Sequence, residues 1–245
     1  MRILALIAHP DYLGQCFSGT VANHTRRGDD VYVVSLTPGE LGIATILYSD
    51  RSRAECAAIK TQELANAAQV LGVKGVQVLN FPDGELQNTP ELRLAVAQAI
   101  RQFTPDVLIS HWPHDAHPDL RIAGQASLDA CLTASLAHIE LLYPPHAVKR
   151  VFTFALPSAI DFAPTLFVNI TEVVDAKRQA MTCYPTILAE LHTLYAGKDS
   201  DDWMNVVLAP NMFWGQESGV LYAEAFKEVK VPGLPRRAIR HLPLS

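Results

Sequence analysis

The strongest constraint on the fold is an alternation. Short apolar runs, Ile3 to Ala8, Val31 to Leu36, Val76 to Leu79 and Val107 to Ser110, are separated by longer segments near 15–27, 50–72 and 90–104. Runs this short and continuous suit strands buried on both faces. In the second long segment Ala57, Lys60, Leu64, Ala68 and Leu71 recur at helical spacing, and Gly72 supplies a stop. In the third, Thr89-Pro90-Glu91 provides an N-cap, a proline at the first helical position and a first-turn acid. Strand–helix–strand repetition requires right-handed crossovers. The expectation is therefore an α/β chain with a Rossmann-like, mostly parallel sheet flanked by helices.

The second half is less regular. Val151 to Ala155 and Leu166 to Ile170 read as strands, and Thr171 to Leu194 as one helix or two split at Pro185, with Thr171 as N-cap. Gly197 to Gly219, interrupted by Pro210 and glycines, reads as a long loop or lid. The expected organisation is one domain over 1–245, with a core over 1–140 and an irregular C-terminal extension over 141–245. A hydrophobic fraction of 49% excludes disorder. The net charge of −5 is spread without blocks, which argues against nucleic acid or an anionic membrane as main partner. The basic cluster Arg236, Arg237 and Arg240 reads as a solvated tail. No apolar run approaches the ~20 residues that a bilayer span needs. The first run is short and passes directly into His-Pro-Asp, so it reads as a strand and not as a signal peptide. Four widely spaced cysteines without a C-x-x-C pair suit free thiols and a cytoplasmic location.

Parallel sheets bind ligands beyond the carboxyl ends of their strands. The loops falling there, His9–Gly14, Thr37–Gly42, Phe81–Gln87 and His111–Arg121, are those dense in His, Asp, Glu, Gly and Pro. Two of them carry the same triplet, His9-Pro10-Asp11 and His117-Pro118-Asp119. No G-x-G-x-x-G follows the first strand and no Walker motif occurs, which removes the nucleotide-binding readings. A His and a carboxylate after the first strand, facing a His-rich loop after the fourth, can form a metal site with a general base. They can equally form an acid/base pair without metal.

The ordered segments AHPD, SGTVANHTRRG, VSLTPGELG, KTQELANAAQVLGV, NFPDGEL, SHWPHDAHPDLRIAG, VNITEVVDAKRQAM and GVLYAEAFK resemble the LmbE-like, or PIG-L, de-N-acetylases over most of the chain. The resemblance implies an LmbE-like fold and hydrolysis of linear amides, typically zinc-dependent deacetylation of N-acetylglucosamine-type conjugates. A few members act as mycothiol-conjugate amidases or hydratases. The family motifs read His-Pro-Asp-Asp and His-Pro-Asp-His, and zinc is held by the first His, the second Asp and the last His. By position, His9 then matches a metal ligand and Asp11 the general base. His117 matches the acid or oxyanion stabiliser, and Asp119 its orienting partner.

The other two ligand positions hold Tyr12 and Leu120. Phenol is a poor zinc ligand at neutral pH and leucine is none, so the residues oppose the zinc that the resemblance implies. Tyr12 is instead expected to fill the vacated space and donate a hydrogen bond to substrate. A relocated site using His9, Asp11 and one of His111, His114 or His117 would consume the base or the acid, and ranks below a site without tightly bound zinc. Glu40, Lys60, Asp83 and His114 are expected to bind substrate. Three readings remain. The first is an amide hydrolase with a weak or displaced metal, acting on a small molecule such as an N-acetylated sugar conjugate. The second is a metal-independent acid/base enzyme, hydratase- or lyase-like, using Asp11, His117 and Tyr12. The third is a non-catalytic small-molecule-binding homologue. The first is preferred, and association into a homo-oligomer is a further expectation of the resemblance.

Overall fold

The computed structural model describes residues 1–42, 50–156, 159–194 and 202–231. Among them, β1 (Arg2–Ile7) leads through a π-helical turn (Leu13–Phe17) into α1 (Ser18–Arg26), β2 (Asp30–Ser35), α2 (Arg53–Val70), β3 (Gly75–Val78), α3 (Pro90–Phe103) and β4 (Val107–His111). There follow α4 (Pro118–Ser135), β5 (Arg150–Phe154), β6 (Leu166–Asn169), α5 (Val174–Thr182), α6 (Pro185–Leu194), α7 (Asp202–Ser218) and β7 (Ala223–Val229). The strands form one seven-stranded sheet in the order β3-β2-β1-β4-β5-β7-β6. The pairs from β3 through β5 are all parallel, as the alternation predicts, and β7 runs antiparallel to both β5 and β6.

Local chemistry sets the helix starts. Ser52 and Glu55 close a capping box on α2, with Ser52 accepting from Glu55 N while Glu55 accepts from Ser52 N. Thr89 caps α3 ahead of Pro90 at the first helical position. β1 is the middle one of the five parallel strands, with Leu4 through Ala8 fully buried, so the chain leaving it emerges at the middle of their carboxyl edge. β2 and β4 flank β1, and the order reverses here: β2 and β3 lie to one side, β4 and β5 to the other. This is the topological switch point at which open α/β sheets hold their ligands.

The C-terminal portion differs from expectation at one segment. Its strands join the sheet, and most of the expected loop at 197–219 is the helix α7. Met204, Val207, Leu208, Asn211 and Gly215 recur at helical spacing and are buried, which outweighs the breakers Pro210 and Gly215. Gly215 is needed because a Cβ there would come 2.5 Å from Leu221 O. Thr171 starts a short 3₁₀ turn without capping it, and its hydroxyl accepts from Tyr222 N instead. Residues 197–201 and the cluster Arg236, Arg237 and Arg240 lie outside the described residues. The four cysteines are free, and no helix among the described residues is long and apolar enough to cross a membrane.

Candidate active site

The loops after β1, β2, β3 and β4 meet above β1. At the first, Ala8 N donates to His111 Nε2 at 3.0 Å, which ties the end of β1 to the end of β4. His111 is buried against Tyr12 and Phe154, and burial lowers its pKa well below the ordinary histidine value. It is a neutral strand-end acceptor.

His9 sits one residue further on. Thr37 Oγ1 donates to Ala8 O at 2.9 Å, so it accepts from His9 Nδ1 at 2.8 Å. Asp83 Oδ1 lies 3.1 Å from the same nitrogen. Both partners accept, which places the proton on Nδ1. His9 Nε2 then faces Asp119 Oδ2 at 3.5 Å. Burial lowers the His9 pKa below its ordinary value, opposed by the charges of Asp83, Asp11 and Asp119. Gly39 allows this packing. Its φ is +72°, and a Cβ would stand 3.0 Å from the Pro10 ring and 3.4 Å from His9 Cβ.

The second triplet opens a helix. His117 is the N-cap of α4, Pro118 its first residue, and His117 Nδ1 accepts from Asp119 N at 3.2 Å. That bond leaves the neutral ring's proton on Nε2. The ring is exposed and meets His9 edge-on at 5.6 Å. Asp119 is fully buried, its Oδ2 accepting from Gly84 N at 2.7 Å and its Oδ1 from Leu86 N at 3.2 Å. It therefore anchors the turn after β3. Gly124 lets α4 approach, since a Cβ there would come 2.6 Å from His111 O.

A cavity of about 450 Å³ opens over these groups and is lined by His9, Asp11, Tyr12, Lys60, Asp83 and His117. Lys60, buried on α2, places Nζ 3.8 Å from Asp11 Oδ1. Gln15 Nε2 donates to Asp11 Oδ2 from the π-helical turn. Glu40 and His114 are not part of this lining. Glu40 accepts from Arg53 and from Asp83 N, so it braces the Asp83 turn, whereas His114 is exposed with its ring against Trp112.

Sequence reasoning missed Glu190, on α6, which lines the same cavity together with Ile187 and Leu191. Burial and the Asp11 charge raise its pKa, and Lys60 opposes the shift. A lone acid inside the apolar run Ile187-Leu188-Ala189-Glu190-Leu191 was its only local signal. The C-terminal half also fixes the first loop. Glu224 caps α1 through Gly19 N and Thr20 N, and Lys177 bridges Glu224 to the carbonyls of Gly14 and Gln15, both side chains being fully buried. Tyr184 Oη donates to Pro10 O at 3.1 Å.

The zinc-ligand positions that the resemblance assigns do not fit a metal. Leu120 is packed in the core. Burial and the neighbouring Asp11 raise the Tyr12 phenol pKa well above its ordinary value, away from the phenolate that a metal would require. The relocated sets that lean on His111 or His114 are also absent, because His111 is bonded to Ala8 N and His114 faces Trp112. The group that does converge is His9, Asp83 and Asp119, with one potential ligand atom from each lying within 4.8 Å of the others.

Known proteins resemble this chain in both sequence and fold. A family model described as PIG-L, GlcNAc-PI de-N-acetylase, matches residues 4–131. The chain is similar to the diacetylchitobiose deacetylase of Thermococcus kodakarensis, 28% identical over 95% of this chain and 84% of the relative. It is also similar to the 4-oxalmesaconate hydratase of Pseudomonas putida, 24% identical over 67% of this chain and 66% of the relative. Among solved structures, the conserved protein TT1542 from Thermus thermophilus superposes with a TM-score of 0.79, at 28% identity over 99% of this chain and 98% of that chain.

Proposed function

The chain belongs to the GlcNAc-PI de-N-acetylase (PIG-L) family, and from that premise we propose that it hydrolyses a linear amide, releasing acetate from an N-acetylated sugar conjugate. The observation that carries this reading is the convergence of Asp11, Lys60, His117 and Tyr12 on one cavity at the switch point of the sheet. The deacetylase activity named for the Thermococcus relative supports the reaction class.

In this reading Asp11 takes a proton from water as the water oxygen attacks the acetyl carbon. The carbonyl becomes a tetrahedral oxyanion, which needs donors already in position. His117 offers Nε2–H, and the Tyr12 hydroxyl is free of hydrogen-bond partners among the described residues and faces the same space. The Lys60 ammonium offsets the charge around Asp11. Collapse breaks the carbon–nitrogen bond, and the proton that Asp11 took from water passes to the departing amine, while His117 keeps its Nε2 proton as a donor to the oxyanion. Asp83 and the carboxyl of Glu190 stand where sugar hydroxyls would be met. The test is acetate release from N-acetylglucosamine conjugates by wild type and Asp11→Asn, with and without added zinc. Wild type at background in both conditions would exclude the hydrolase reading.

A second reading is favoured by one observation: the ligand positions are lost while the base and acid remain. Metal-independent proton transfer by Asp11 and His117 next to a carbonyl, as in a hydratase, uses the same residues. It predicts turnover that persists in chelator and fails in Asp11→Asn. Turnover abolished by chelator alone removes it.

A further inference from the structure

We propose that the groove between α7 and the segment after β5 is a second binding subsite, which takes an apolar, aromatic group carried on the glycosidic oxygen of the substrate. This rests on the reading above, in which the neighbouring cavity holds the N-acetylated sugar, and it names the other half of that substrate.

The helix α7 is apolar on two faces. Met204, Val207, Leu208 and Asn211 turn one face toward the sheet and are buried. Val206, Ala209, Pro210 and Phe213 recur at the same helical spacing on the opposite face, and none of them is buried. Phe213 is 53% exposed. A helix on the surface of a fold ordinarily puts polar side chains opposite its core stripe, so packing of this chain does not account for the second stripe.

These four residues form one wall of a cavity of about 520 Å³. Leu156 and Phe162, from the segment after β5, stand on the other wall. That wall is fixed from the end of β4, where Trp112 Nε1 donates to Ile160 O at 3.0 Å and the Trp112 ring meets Phe162 at 5.6 Å. Trp214 lines the groove beside Phe213, with the two ring centres 4.7 Å apart.

Leu156 connects the groove to the chemistry. It lines both this space and the cavity over Asp11 and His117, so the two share a wall. No charged or hydroxyl-bearing side chain lines the groove among the described residues, and such a space cannot orient a ligand by itself. Small-molecule sites combine an apolar enclosure with a few polar groups that fix orientation. Here Asp11, Lys60, Asp83 and His117 supply those groups on the far side of one leucine. Phe162, Phe213 and Trp214 suit a flat ring, because aromatic pairs gain from offset and edge-to-face contact beyond the area they bury.

The methyl and phenyl glycosides of N-acetylglucosamine test the groove, each measured as a substrate and, by calorimetry, as a ligand of the full-length protein. The phenyl glycoside is expected to show KM and Kd values about 10- to 100-fold lower, the usual gain for burying one aromatic ring. Phe213→Asp and Ala209→Asp, both at exposed positions, are each expected to bring that ratio down to unity. If neither glycoside releases acetate, the hydrolase reading fails and the Kd ratio alone decides the subsite. Equal affinities for the two glycosides, or none for either, overturn the proposal. So does a phenyl preference that survives in both folded variants. A Phe213→Asp protein that changes its oligomeric state and keeps the ratio assigns the stripe to a second copy of the chain, and likewise overturns it.

Discussion

The two His-Pro-Asp triplets are identical in sequence and opposite in use. In the first, His9 is buried and held by Thr37 and Asp83, and Asp11 turns toward the cavity beside Lys60. In the second, His117 is exposed to the cavity while Asp119 is buried under two backbone N–H donors. The difference comes from the element that each triplet enters. The second stands at the start of α4, so its His becomes the N-cap and its Asp turns inward in the first turn. The first runs into a π-helical turn, a form often found at functional sites, and Lys177, Glu224 and Tyr184 hold that turn from the far half of the chain. One triplet thus supplies a cavity-facing acid and the other a cavity-facing imidazole.

The largest expected effects test this division. Asp119→Ala strands two buried N–H donors and is expected to cost about 3–5 kcal/mol of stability in urea unfolding. Asp11→Ala, whose carboxylate faces the cavity, should lose clearly less. Equal losses would mean that the two acids share one role. Breaking the brace behind the first triplet should be comparable: Lys177→Met leaves Glu224 buried and unpaired, at about 3–5 kcal/mol. A melting temperature unchanged in Lys177→Met would remove the C-terminal half from the account of the first loop.

Activity should divide the other way. Asp11→Asn is expected to lower kcat about 10²–10⁴-fold, as for loss of a general base, with the fold retained by circular dichroism. His117→Ala should give a comparable kcat loss while costing only about 1 kcal/mol of stability, the usual value of an N-cap. A His117→Ala enzyme with full kcat would place the oxyanion donor elsewhere.

The smallest effect concerns Glu190. Burial raises its carboxyl pKa. The protonated form is thus the one favoured in the fold, and this stabilisation is lost as pH rises through the folded pKa. Glu190→Gln removes that loss, so the variant should gain stability relative to wild type as pH increases upward from about 4.3, the ordinary glutamate value. Parallel pH profiles for the two proteins would show that Glu190 is not in the environment described.

Much of the fold was legible because its signals are local. Apolar runs, the Ser52–Glu55 box and the Thr89-Pro90 start each lie within a few residues, and the parallel half follows from them. The helix α7 was legible in the spacing of Met204, Val207, Leu208 and Asn211, but Pro210 and the nearby glycines read more strongly as breakers than they act. β7 was harder to read. A strand of alternating apolar and charged residues shows its place only once β5 and β6 exist to pair with it. Within the site, His9, Asp11, Tyr12, Asp83 and His117 were legible from their loops and Lys60 from its place on a helix in the family resemblance, and the cavity gathers all six. Glu190 was not, because the contact that makes it matter spans most of the chain.

The sequence by itself determined the alternating α/β order, the family, and the loss of ligand chemistry at Tyr12 and Leu120. These depend on residue type and near neighbours. Only the tertiary structure decided which member of each triplet faces the cavity, and that Asp83 and Asp119 close on His9 from two other strand ends. Those outcomes depend on backbone donors, buried space and tautomer, which exist only after distant segments have packed together.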